Sequence, residues 1–165
     1  VHALYLFSVW LHILAASAWL GGTFFVTFVV VPWLRRGGRE HAGIFLRETG
    51  ERFRVVGWTC FSVLLLTGSF NLWARGVRLA DFVRPEWLSS PFGKTIVSKL
   101  CAVALVFVVS GCHDFVLGPR AARALELDRE SPAAAKLRQF ARVLGRVNAL
   151  LALAIVALAV ILVRG

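Results

Sequence analysis

The 165-residue chain has no methionine, one tyrosine, three cysteines and nine acidic residues. Each scarcity excludes something. Three cysteines are too few to staple a small disulfide scaffold. Without methionine a thioether conduit for a soft metal ion is disfavoured, and Cys101 and Cys112 are too far apart on one predicted helix to share an ion. No phosphate-binding loop, GxGxxG, GxSxG, HExxH or CxxC occurs. Charge is sparse as well, at 17% of residues against 58% hydrophobic, which is too apolar for intrinsic disorder. That leaves an integral membrane protein.

What the chain has is long apolar runs. Four stand out, at about 3–34, 53–74, 91–117 and 140–163, each near or above the ~20 residues that cross a hydrocarbon core as a helix. Strands are not expected, because none of the runs shows the short alternation of a barrel strand and isolated strands would leave backbone groups unsatisfied in lipid. From His2 to Leu34 there is no Asp, Glu, Lys or Arg, and no basic stretch precedes it, so this run reads as a mature spanning helix rather than a signal peptide. The predicted fold is all-α, an antiparallel four-helix transmembrane bundle forming a single domain over 1–165, with very short external segments and no internal repeat. Gly37–Gly50 is predicted as a short surface helix. Ala121–Leu127 is predicted to continue the third helix or form a basic interfacial segment before the Ser131-Pro132 break.

The net charge of +10 is sorted into connections rather than displayed as a nucleic-acid patch. Arg35, Arg36, Arg39, Arg47, Arg52 and Arg54 lie between runs one and two, and Arg120, Arg123, Arg129, Lys136, Arg138, Arg142 and Arg146 between three and four. These outnumber Arg75, Arg78, Arg84, Lys94, Lys99 and Arg164 on the other side. The positive-inside rule therefore predicts both termini outside, in a bacterial-type inner membrane, with the bilayer as principal partner and no nucleic acid.

Ionisable residues inside lipid are costly and become functional hypotheses by default. Here they are His12, Lys99, His113 and Asp114. Ser8, His12, Ala15, Ala16, Trp19, Gly22 and Thr23 recur at three- and four-residue steps, a stripe of small and polar residues that should face other helices. His12 in that stripe is either a metal or haem ligand or a partner in an interhelical hydrogen bond. By helical rise His12 and Lys99 fall at one level, whereas His113 lies about 21 Å deeper than Lys99, so His12 and His113 should not share one iron. The deeper group is His113 with Asp114, joined by His41, Cys60 and Cys112; it reads as a second metal or haem site or as interfacial polarity. Asp114 projects about 100° from His113 around an α-helix, which makes it a poor partner for that ring and a better one for an arginine of the adjoining connections.

HILAASAWLGG with His12, Trp19, Gly21 and Gly22, KTIVSKL with Lys99, HDFVLGPR from His113 to Arg120, and LRQFARVLGRVNALLALAIVALAV resemble the CopD-type domain of copper-resistance membrane proteins. More distantly, the same frame resembles the HemJ-type protoporphyrinogen oxidases. The resemblance covers nearly the whole chain. The HemJ-type likeness implies haem b, with His12 as an axial ligand and Lys99 essential nearby, its ammonium neutralising a propionate. The CopD-type likeness implies copper handling.

Three functional expectations follow. The first is a haem b protein, with one haem or two, that passes electrons to or from quinone or a larger membrane redox complex; His12, Lys99, Trp19 and His113 would hold the cofactor, and oxidoreductase activity is left open. The second is copper transport or tolerance, with His12, His113 and His41 as metal ligands and the cysteines along the path. The third is a structural subunit of a membrane complex or a homo-oligomer, in which Trp10, Trp33, Trp58, Trp73 and Trp87 act as interfacial anchors.

Overall fold

The computed structural model describes residues 2–36, 42–127 and 131–164, with side chains at 34–36, 42–47, 122, 125–127 and 164 left aside. Seven α-helices lie among them: α1 (His2–Phe25), α2 (Val31–Arg36), α3 (Ala42–Ala74), α4 (Pro85–Ser89), α5 (Pro91–Gly111), α6 (Gly118–Leu127) and α7 (Pro132–Arg164). Short π-helical turns, Val26–Val30 and Cys112–Leu117, join α1 to α2 and α5 to α6. No strand occurs among the described residues. Four helical stretches are long and apolar enough to cross a membrane: His2–Trp33, Glu48–Ala74, Pro91–Ala121 and Pro132–Val163. The protein is thus an all-α, four-helix transmembrane bundle.

The helix ends depart from the apolar runs in an instructive way. α3 starts at Ala42 rather than near 53, and α7 at Pro132 rather than near 140. Hydropathy marks where lipid begins, but an α-helix continues through Arg, Glu and Lys, which are good helix formers. The predicted surface helix over 37–50 is therefore, from Ala42 onward, the first part of α3, while 37–41 lies outside the described residues. At the start of α7 the Ser131 hydroxyl accepts from the Ala134 N–H at 3.2 Å and Pro132 takes the first helical position, an N-terminal signature that stops the helix where the sequence break was read.

The connection between α3 and α5 is also more structured than a bare external loop. α3 ends in a Schellman motif: Gly76, at φ +86°, donates to the Trp73 carbonyl at 3.0 Å, and Val77 donates to the Leu72 carbonyl at 3.1 Å. A 3₁₀ turn over Leu79–Val83 follows, fixed by Asp81, whose carboxylate accepts from the Arg78 N–H at 2.8 Å and pairs with Arg84 at 3.2 Å. α4 then folds back so that Gly93 of α5 abuts the Trp87 carbonyl, a place where no Cβ fits. Ser90 caps α5 by accepting from the Gly93 N–H at 3.0 Å.

α1 packs mainly along α3, and α5 along α7. The core between the pairs is Ala15, Trp19, Cys60, Phe61, Val106 and Ala152. Trp19 and Phe61 stack at 5.0 Å between ring centroids and Phe61 and Phe107 at 4.7 Å, so aromatic rings join the α1–α3 pair to α5. The predicted stripe of α1 is the face turned inward: Ser8, Ala15, Trp19 and Thr23 are buried, and Gly22 lies against the Phe53 ring. Leu4, Phe7, Trp10, Leu66, Leu150 and Val163 are exposed, as expected of a surface whose solvent is lipid.

Candidate functional site

At the end of the bundle where both termini lie, α1 and α3 meet through polar side chains. The Thr67 hydroxyl donates to the Val63 carbonyl at 2.6 Å, as helix-borne threonines do. His12 Nδ1 sits 2.7 Å from the same oxygen. A hydroxyl has one hydrogen, and here it is committed to the backbone; the shared proton must come from the imidazole. His12 is thereby held as the Nδ1–H tautomer, and in the neutral ring Nε2 keeps a bare lone pair. Gly68 eases the approach, because a Cβ there would stand 3.3 Å from His12 Cε1 and press the ring outward by a few tenths of an ångström. Ser8 adds a longer hydrogen bond to the Thr67 carbonyl at 3.5 Å.

Lys99 enters from α5, and its charge reaches His12, so the structure brings together the two residues that helical rise had placed at one level. Arg75, at the end of α3, lies within electrostatic reach of Lys99 and donates from Nε to the Tyr5 hydroxyl at 3.1 Å. Thr67, Asn71 and Arg75 follow one another at four-residue steps and share a face of α3. Asn71 Oδ1 is buried there without a hydrogen-bond partner. Trp19 is not among these polar groups: it lies two turns along α1, closed into the core against Phe61.

The opposite end holds His113 and Asp114, and it differs from the sequence expectation. His113 Nδ1 lies 3.0 Å from Asp114 Oδ1, with the side chains 38% and 26% exposed. The two adjacent residues are partners after all. They fall in the π turn Cys112–Leu117, whose wider winding reduces the angular step that separates neighbours on an α-helix. The other carboxylate oxygen accepts from Trp58 Nε1–H at 3.1 Å. Trp58, expected as an interfacial anchor, is instead turned inward, with Phe61, Phe107 and Phe115 around it at 5.5, 5.8 and 5.3 Å. The nearby Arg54 guanidinium lies over the Phe115 ring at 5.3 Å. Between the two ends Ser110 donates to Asn148 Oδ1 at 3.3 Å, tying α5 to α7.

The remaining predicted ligands separate. Cys60 is buried in the core, whereas Cys101 and Cys112 are exposed. His41 lies outside the described residues. Among the described residues no three His, Cys, Asp or Glu side chains are grouped to hold a metal ion. Two anchored imidazoles therefore remain as candidate single donors, His12 against the Thr67 hydroxyl and His113 against the Asp114 carboxylate. Thr67, Asn71, Arg75 and Trp58 were not singled out from sequence as site residues; the four-residue spacing of the first three was the available signal.

The family model for copper resistance protein D matches residues 47–162. An uncharacterized protein of Aquifex aeolicus (strain VF5) is 31% identical over 152 residues, covering 91% of this chain and 89% of that protein. No solved structure matches significantly.

Proposed function

This chain belongs to the copper resistance protein D family of membrane proteins, and from that premise we propose that it handles copper inside the bilayer, with His12 as the metal-facing donor. The observation that carries this reading is the contact between His12 Nδ1 and Thr67 Oγ1 at 2.7 Å. An imidazole whose Nδ1–H is held by a neighbouring oxygen presents Nε2 as a fixed, neutral donor, the usual arrangement of histidine ligands in metal sites. Copper here is cargo: the ion is received at His12 from the terminal end. In the orientation that the positive-inside rule favours, that end faces outward.

A second reading is favoured by a separate observation. Lys99 sets a positive charge beside His12, and Arg75 adds another within reach of Lys99, an environment that repels a bare cation. Haem b fits such surroundings, because its iron accepts an axial imidazole and its propionates are anionic. Bound there, it would supply one-electron chemistry. His12 would hold the iron and Lys99 would balance a propionate, with quinone or a larger membrane complex as redox partner.

One preparation tests both. Protein purified in neutral detergent is titrated with Cu(I) against a chromogenic chelator, and its optical spectrum is recorded with and without added haem. Copper retained by the wild type and lost in His12→Ala is the expected result. Equal retention by both proteins overturns the copper assignment, and a Soret band present in the wild type but lost in His12→Ala transfers the site to haem b.

A further inference from the structure

Among the described residues no carboxylate answers the like charges of Lys99 and Arg75 near His12. Lys99 is half-buried on α5, about 12 Å along the helix from Pro91. Its ammonium and the Arg75 guanidinium act on each other, as it does on His12. Only two of the nine acidic residues, Asp81 and Glu86, belong to the terminal-end segments. Asp81 is occupied by the Arg78 N–H and by Arg84, and Glu86 is exposed on α4. Among the described residues the carboxylate ion pairs are Arg84–Asp81 and His113–Asp114, and neither touches Lys99 or Arg75.

Asn71 adds an independent observation. Its Oδ1 is buried without a partner, one turn from Thr67 and one from Arg75 on the same face of α3. Buried polar atoms are nearly always satisfied, so an orphan marks the place of a missing partner. An asparagine amide reads equally well turned over, with its NH₂ where the oxygen stands. Turned over, it is a buried donor one turn from Arg75 on α3, open to an anion that balances the cations.

We propose that Lys99, Arg75 and Asn71 form an oxyanion-binding site at the terminal end of the bundle, taking a carboxylate or phosphate group. Each part has a defined role. Arg75 is held from α1 by Tyr5 through Nε, which leaves both Nη groups for a forked contact with two oxygens. Lys99 supplies a point charge in a half-buried setting where pairing is worth more than in water. Asn71, one turn before Arg75 on α3, gives a neutral donor. The site spans three helices and draws its anion from one of two sources, a soluble oxyanion or the headgroup of an anionic lipid. It goes beyond the copper assignment and stands without it.

The test uses delipidated, metal-free protein in neutral detergent. Calorimetric titrations are run with citrate, with inorganic phosphate, and with mixed micelles containing phosphatidylglycerol. Saturable binding is expected for the wild type and for Lys94→Gln, which alters an exposed lysine on the same helix. It should weaken by about tenfold or more in Lys99→Gln and Arg75→Gln, as loss of a charge-assisted contact requires, and Lys99→Arg should restore most of it. Saturation by citrate or phosphate supports the site and identifies a soluble ligand; saturation by phosphatidylglycerol alone supports it and identifies a lipid headgroup. Absence of binding in all three titrations, or wild-type binding by folded Lys99→Gln, overturns the proposal. Because no metal is present, copper retention that survives His12→Ala would overturn the copper reading alone and leave this result standing.

Discussion

The two intramembrane histidines are anchored alike and surrounded differently. His12 and His113 each have Nδ1 within hydrogen-bond distance of an oxygen, at 2.7 Å and 3.0 Å. The oxygen belongs to a neutral hydroxyl at one end and to a carboxylate at the other. Outside these contacts the contrast widens. The charge of Lys99, itself faced by Arg75, acts on the first ring, while Asp114 beside the second is steadied by the Trp58 indole. The residue type sets what kind of ligand an imidazole can be, and its neighbours set the sign of the charge that can come with a guest. An anion, or a metal escorted by one, suits the His12 end. A lone cation meets less resistance beside Asp114.

The largest expected effect would break this comparison outright. His12→Ala should abolish copper or haem retention, whereas His113→Ala should leave most of it; the reverse outcome in the chelator competition would exchange the roles of the two ends. Thr67→Val removes the anchoring oxygen and keeps the side-chain volume. Metal affinity should fall about 10- to 100-fold, the usual cost of losing a partner behind a ligating histidine. Trp58→Phe strips the Asp114 carboxylate of its indole donor. Detergent unfolding should show a loss of about 1.5 kcal/mol, appropriate to one hydrogen bond to a charged group, with copper retention as in the wild type. The smallest change is Gly76→Ala, which touches neither ring. It strains a positive-φ position that ends α3, for a stability loss of about 1 kcal/mol, and a disproportionate fall in citrate or phosphate binding would show that this turn sets the position of Arg75.

Much of the architecture was readable because lipid imposes a simple demand. An uncharged stretch from His2 to Leu34 has few alternatives to a spanning helix. The ends were less readable: the rule that finds spans measures partition into hydrocarbon, and α3 and α7 both continue as helix through charged residues outside it. His12 and Lys99 could be placed at one level from helical rise alone. Thr67, Asn71 and Arg75 could not be assigned to the side of α3 that faces His12, since that requires knowing how α3 is rotated about its axis. His113 and Asp114 were separated in the sequence reading by assuming ideal α-helical steps, and no residue in CHDFVL announces a π turn. Trp58 shows a different limit, because the same indole serves at an interface or as a buried donor, and only the position of Asp114 decides.

The π turn over Cys112–Leu117 gives the third span an adjustable joint. Everything before it, Lys99 included, keeps the rotation imposed by packing of α5 on α7, while everything after it follows a shifted phase. Removing one residue from the turn would swing His113, Asp114 and the start of α6 to new bearings and leave the upper half of the helix seated. The two ends of one continuous rod can therefore be re-aimed separately.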